Sequence, residues 1–395
     1  MIKIFFKSIA VLFTSLVFSQ NLTTNSTGSF IYNPELDQLN RNEVEVFYHI
    51  PEGNISSMPI LFSFHGASRN ADDYRDYWID MANQNGFMVF SPEFSTWNYP
   101  GLGDNYLMGN VFDDGDNPEE NEFNAPSDWT FSVIEPLFDF IKSDISGEQE
   151  TYNAWGHSGG SQFLHRFALF IQNSRLGVGV CSNAGWYTVP ENEIDFPYGI
   201  ALPFLPLNQN LFNFLQNSNF ELDVNYEQFF QKDLIIHLGT NDIDPHSSGL
   251  RHNGVVDSQQ GLNRFVRGQY FYSFSQQESD NLNVPFNWEL HFVDGVGHQA
   301  QLMANDALQF ILSSSLNLNN NSLTNIEIYP NPVSGTLMID GNEDIVYFEL
   351  YSQVGNLVLA IRNSAQVDTS NLSSGVYFLK IYSGTKLITK KIIKL

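Results

Sequence analysis

The segment of this chain best suited to chemistry is Gly156-His157-Ser158-Gly159-Gly160. It fits G-x-S-x-G and lies between a strand-like run, residues 152–155, and an amphipathic run, residues 162–172. That order predicts a sharp strand-to-helix turn, in which glycines let the backbone pass close to its neighbours and the serine hydroxyl stands clear of the sheet. The amide of Gly159 then falls at the amino end of a helix, where developing negative charge is favoured. A serine hydroxyl is a poor nucleophile until a base takes its proton. After an elbow of this kind, the acid and then the histidine follow later in the chain. His298, in Gly295-Val296-Gly297-His298, lies between the last strand-like run and the last helical run, and is the expected base. The acid is expected in Gly239-Thr240-Asn241-Asp242-Ile243-Asp244, directly after another strand-like run. Either carboxylate could orient the histidine; Asp242 is preferred and Asp244 is held in reserve. A second oxyanion donor is expected from His65-Gly66-Ala67-Ser68, where Gly66 permits close approach and the amide of Ala67, or of Ser68, faces inward. His65 is expected to brace that loop, and His291, inside a strand-like run, to be structural.

These residues need a scaffold that brings distant loops to one edge. Residues 59–64, 86–90, 152–155, 176–180, 234–238 and 288–293 read as strands, and residues 129–145, 162–172 and 300–313 have helical spacing. Alternating strands and helices predict an α/β fold with a mostly parallel sheet covered on both faces. Its working residues gather in loops at the carboxyl ends of the strands. Residues 313–322 are polar and low in complexity, as in a linker. Beyond them, short runs of near period-two alternation separated by Gly, Pro, Asn and Ser predict a small antiparallel β-sandwich.

Acidic residues outnumber basic ones 44 to 18 in 395 residues, a formal charge of -26, which argues against nucleic-acid binding through a basic face. Residues 326–395 carry six basic and six acidic residues, whereas residues 21–325 carry ten basic and 38 acidic. Two regions so different in charge predict two domains with different tasks. Cys181 is the single cysteine, so no intramolecular disulfide and no cysteine-rich zinc site can form. Lys3 and Lys7 precede an apolar stretch over residues 9–18 and the small residue Ser19, which predicts a secretory signal peptide, too short to span a membrane. No membrane span is expected in the mature protein.

The Ser158, Asp242, His298 and Ala67 positions resemble those of the α/β-hydrolase superfamily, a likeness covering roughly residues 44–313. Within it, Phe64-His65-Gly66-Ala67-Ser68-Arg69-Asn70 and Trp155-Gly156-His157-Ser158-Gly159-Gly160-Ser161 look like secreted esterases near the polyhydroxybutyrate depolymerase and feruloyl esterase groups. Tyr329-Pro330-Asn331-Pro332, Gly355, Ser374-Gly375-Val376-Tyr377 and the lysines 386, 390, 391 and 394 resemble the type A sorting domain of the Bacteroidetes type IX secretion system. An accessory substrate-binding sandwich is the alternative for that region. The expected organisation is a signal peptide over 1–19, a catalytic domain over 20–313, a linker over 314–325 and a sorting β-sandwich over 326–395. The resemblance implies a secreted serine hydrolase acting on carboxylic esters of polyester, polysaccharide-linked or short-chain type, requiring no cofactor and no metal. A serine peptidase of the same fold and an inactive surface-binding protein are the other readings. The implied partners are the ester substrate, polymeric in the first two cases, and the secretion machinery.

Three further features are weaker. The acidic run over residues 113–122 suits a solvated loop better than a calcium site, because its spacing does not match an EF-hand. The aromatic-rich stretch over residues 186–230 has the place of a lid-like insertion, whose Trp186, Tyr187, Phe196 and Tyr198 either line a substrate subsite or pack the insertion onto the core. Arg264 and Arg267 are expected to hold nearby carboxylates, or else an anionic substrate group.

Overall fold

The computed structural model describes residues 20–317, 327–340, 347–352, 357–362, 366–383 and 386–395. The expected signal peptide, with residues 318–325 of the expected linker, lies outside them. The chain forms two compact units, one ending at Ser314 and one beginning at Ser315.

The first unit is built on an eight-stranded sheet: β1 (Ser26–Tyr32), β2 (Val44–Ile50), β3 (Ile60–Phe64), β4 (Met88–Glu93), β5 (Tyr152–His157), β6 (Leu176–Ser182), β7 (Asp233–Gly239) and β8 (Glu289–Val293). Their spatial order is β1-β2-β4-β3-β5-β6-β7-β8. β1, β2 and β4 pair antiparallel, and every pairing from β4 to β8 is parallel. β3 and β5 are buried at every residue, as a parallel sheet covered on both faces requires.

The helices are α1 (Ala71–Asp76), α2 (Ile79–Asn85), α3 (Ile134–Ile145), α4 (Gly159–Phe170), α5 (Leu211–Asn217), α6 (Tyr226–Phe230), α7 (Gly254–Gln260), α8 (Arg264–Leu282) and α9 (Ala300–Asn317). On one face, Trp78, Ala82, Met303 and Phe310 close over Leu61, Trp155, Val180 and Ile235. On the other, Phe138, Phe163, Phe167 and Phe271 cover Phe62, Phe64, Ile236 and Leu238. Burial of such side chains, at about 25 cal/mol per Å² of apolar surface, is the main term holding both layers to the sheet.

Several boundaries differ from expectation. The helix expected from residue 129 begins at Ile134, because Pro136 is tolerated only in a first helical turn. The sequence reading missed β1, β2, α1, α2 and α5 to α7. The last helix runs through Asn317, so residues 314–317 are helical rather than linker. Extending a nucleated helix gains one hydrogen bond per residue fixed, which polar residues do not prevent.

In the second unit, β9 (Glu327–Tyr329), β10 (Thr336–Asp340), β11 (Tyr347–Ser352), β12 (Leu357–Arg362), β13 (Gln366–Asp368), β14 (Gly375–Ser383) and β15 (Lys386–Lys394) form two antiparallel sheets, β13-β10-β9 and β12-β11-β14-β15. Leu337, Ile339 and Val367 of the first share one apolar cluster with Phe348, Leu350, Leu379, Ile381 and Ile392 of the second, making a sandwich. Among the described residues, no helix is long and apolar enough to cross a membrane.

Candidate functional site

Ser158 stands between β5 and α4 with φ 57° and ψ -114°, a strained turn for a residue with a side chain. The turn closes because the glycines two positions to either side have none. A β-carbon at Gly156 would lie 2.3 Å from the Gly160 carbonyl oxygen, and one at Gly160 would lie 2.0 Å from that of Phe64. The Ser158 amide donates to the Ser182 carbonyl at 3.0 Å, which fastens the turn to the end of β6.

Three of the expected residues converge here. Ser158 Oγ lies 3.0 Å from His298 Nε2, and His298 Nδ1 lies 2.7 Å from Asp242 Oδ2. Asp242 accepts without being able to donate when ionised, so Nδ1 carries the ring proton and Nε2 is free to accept from Ser158. Asp242 is 4% exposed and its other oxygen lies 3.5 Å from an Arg264 guanidinium nitrogen. Arg264 therefore holds a carboxylate, as expected. Burial lowers its pKa and Asp242 opposes the fall. Arg267 likewise pairs with Asp257 at 2.8 Å. Asp244, the reserve, is turned away: it is exposed and accepts from the His246 amide at 2.9 Å in a local turn.

The amides of Gly159 and Ala67 lie at one place. A β-carbon at Gly159 would sit 3.1 Å from the Ala67 nitrogen, so a side chain there would push the two loops apart by a few tenths of an ångström. Gly66 is equally constrained, since its β-carbon would lie 2.7 Å from Tyr74 Oη. Neither amide donates to a protein acceptor among the described residues. His65 braces this loop as expected: its Nδ1 donates to the Gly66 carbonyl at 2.9 Å and its Nε2 accepts from the Phe94 amide at 3.1 Å. Burial pushes its pKa down to about 3, so the ring is neutral. The ring of His157 lies 4.4 Å from that of His298, centroid to centroid. Burial, followed by repulsion from His298, holds its pKa well below the usual value, which keeps a second positive charge away from His298.

Sequence reasoning missed Asn183. Its side chain accepts from the Gly239 amide at 2.8 Å and donates to the Gly297 carbonyl at 3.1 Å, tying β7 to the loop that carries His298. An asparagine directly after a strand, here at φ 48°, is the only local sign of that task.

Two expected substrate contacts are corrected. Trp186 and Tyr187 are 2% and 0% exposed and belong to the core. Tyr187 stacks on Phe271 at 4.5 Å, and Trp186 is covered by the Arg166 and Arg251 guanidinium groups at 3.9 and 4.9 Å. The aromatic surface is consumed by packing. Phe196 and Tyr198 are also buried, at 1% and 8% exposed, and border a cleft of about 680 Å³ with Asp116, Glu193, Arg251 and His252. The acidic run over 113–122 is folded on itself and its surroundings. Asp114 caps the Asp116 and Asn117 amides, and Asp116 pairs with Arg251.

Residues 327–395 match the family model described as the secretion system C-terminal sorting domain. The chain is similar to the poly(aspartic acid) hydrolase-1 from Sphingomonas sp. KT-1, with 30% identity and a TM-score of 0.62 over 73% of this chain and 100% of that one. It also shares its fold with LpqC, the poly(3-hydroxybutyrate) depolymerase from Bordetella parapertussis. There the identity is 23% and the TM-score 0.61, over 78% of this chain and 93% of that one. No curated protein matches the sequence.

Proposed function

As a member of the α/β-hydrolase superfamily that ends in a type IX secretion sorting domain, this exported hydrolase is, we propose, a serine esterase. In the proposed cycle, Ser158 Oγ attacks the ester carbonyl carbon while His298 Nε2 takes its proton. The carbonyl oxygen, now negative, receives hydrogen bonds from the Gly159 and Ala67 amides. His298 returns the proton to the leaving alcohol as the carbon–oxygen bond breaks, leaving an acyl-Ser158 ester. Water, deprotonated by the same imidazole, then cleaves that ester and releases the acid. Asp242 holds the ring in the working tautomer and stabilises the imidazolium in each half.

The observation that supports this reading is the unbroken relay from Ser158 Oγ through His298 to Asp242, at 3.0 and 2.7 Å. Charge favours a neutral substrate. A polyanion such as poly(aspartic acid) would approach a region with 38 acidic and ten basic residues, whereas a neutral polyester or polysaccharide ester would not be repelled. Amide cleavage is the second reading, favoured by the 30% identity to the poly(aspartic acid) hydrolase.

Labelling with a fluorophosphonate probe, with Ser158→Ala as the control, tests the nucleophile. The wild type should be labelled, and the variant should stay folded, resist the probe and lose about 10⁴-fold or more in kcat. Labelling of the variant, or wild-type turnover by it, would remove Ser158 from the role. Rates on p-nitrophenyl esters, aminoacyl anilides and poly(aspartic acid) then separate the readings. A higher kcat/KM on the amide substrates would replace the esterase.

A further inference from the structure

We propose that His237, His291 and Asp306 form a binding site for one first-row transition-metal ion of the zinc class, outside the catalytic relay. His237 and His291 face one another across the pairing of β7 with β8, and Asp306 reaches them from α9. The Nε2 atoms of both rings lie 2.9 Å from the same oxygen, Asp306 Oδ1, and the three ligand atoms lie within 4.8 Å of one another. Two imidazoles and one carboxylate are a donor set that suits zinc, cobalt, nickel or copper and is poor for calcium or magnesium. An ion at about 2.0–2.2 Å from each ligand needs only a slight widening of these contacts.

The surroundings favour metal over a simple hydrogen-bonded strut in two ways. Asp306 Oδ1 is also approached by Gln309 Nε2 at 3.1 Å, so three donors crowd one oxygen that a single cation could satisfy. Behind the site, His237 Nδ1 lies 2.8 Å from Ser182 Oγ, which itself accepts from Trp155 Nε1 at 2.9 Å. With the ion on Nε2, His237 Nδ1 donates to Ser182 Oγ, the outer-shell partner that metal-bound histidines almost always have. His237 is fully buried, whereas His291 and Asp306 are about a quarter exposed, so the ion enters from solvent and water completes its coordination.

The ion joins β8 and α9, on either side of the loop that carries His298, to β7. Its role is to hold these three elements together rather than to take part in ester cleavage.

The test uses the full chain without a histidine tag, freed of metal by a chelator. Calorimetry with Zn²⁺ and visible absorption with Co²⁺ should show one saturable site per chain, and Zn²⁺ should raise Tm in a way that chelator reverses. His291→Ala and Asp306→Asn should each weaken binding about 100-fold or more, leaving kcat/KM on a soluble ester within about twofold. His291→Gln serves if the alanine variant fails to fold. His252→Ala, at the separate His252–Asp257 pair, should bind as the wild type does. Absence of saturable Zn²⁺ heat and of a Co²⁺ ligand-field band in the folded wild type would overturn the proposal. So would unchanged binding in a folded His291 or Asp306 variant, or zinc anomalous scattering located elsewhere.

Discussion

Replacing Asp242 by asparagine changes one atom, and the structure specifies how that change should act. Asp242 Oδ2 accepts from His298 Nδ1 at 2.7 Å, while its other oxygen faces Arg264, a group that can only donate. An asparagine amide must therefore turn its oxygen toward Arg264 and its NH₂ toward His298. Nδ1 then has to accept, the ring proton moves to Nε2, and Ser158 loses its base. A loss of this kind is about 10⁴-fold in kcat, or roughly 5.5 kcal/mol at 1.36 kcal/mol per decade. Asp244→Asn should stay within about twofold, because an amide oxygen can replace the carboxylate that accepts from the His246 amide. Adding Arg264→Met to Asp242→Asn removes the donor that dictates the amide's orientation, so part of the lost rate should return. Steady-state kcat on a p-nitrophenyl ester, with circular dichroism to establish folding, reads all three. Equal losses at 242 and 244, or a larger loss at 244, would refute the assignment. Absence of recovery in a folded double variant would refute the orienting role of Arg264.

Three further outcomes follow from other contacts. Asn183→Ala leaves the buried Gly239 amide without its partner, so stability should fall by about 1–3 kcal/mol in urea and kcat by about tenfold as the His298 loop loosens; an unchanged kcat would sink the positioning role. His65, with its pKa lowered to about 3 in the fold against about 6.5 in the unfolded chain, adds stability in full above pH 6.5 and loses it as pH falls. Each pH unit below 6.5 costs on the order of 1.4 kcal/mol from this ring, until the fold itself binds the proton near pH 3. The urea midpoint should therefore fall less between pH 7 and pH 4.5 in His65→Asn than in the wild type, and equal falls would contradict the neutral ring. Removing the residues from 325 onward should leave kcat/KM on a soluble ester unchanged within about twofold while the native host retains the protein, because the second unit has an apolar cluster of its own. A large loss on soluble ester would assign the sandwich a catalytic part, and a loss confined to insoluble polymer would make it a substrate-binding module.

Much of the fold was legible because it is written locally. Burial on both faces of β3 appears in the sequence as an apolar run broken only at Ser63, and the elbow appears as glycines where a side chain would strike backbone. The order of serine, acid and histidine, each in a loop after a strand, was legible for the same reason. The short helices α1 and α2 were not, since two weak periods of six and seven residues do not stand out from a polar loop.

The sequence by itself determined that Ser158 sits on an elbow, that His298 follows the last strand, and that one of two aspartates partners it. Only the tertiary structure chose between those aspartates. Asp242 and Asp244 are two residues apart in the same loop, and their roles depend on where α8 brings Arg264. The same holds for Trp186 and Tyr187, whose composition suits a subsite as well as a core until Arg166, Arg251 and Phe271 cover them. It holds most of all for His237, His291 and Asp306. Side-chain periodicity states which face of a strand a residue occupies, but the register of β7 against β8 and the docking of α9 decide which residues meet. Register and docking are set by the packing of the whole sheet, so no local stretch of the chain contains them.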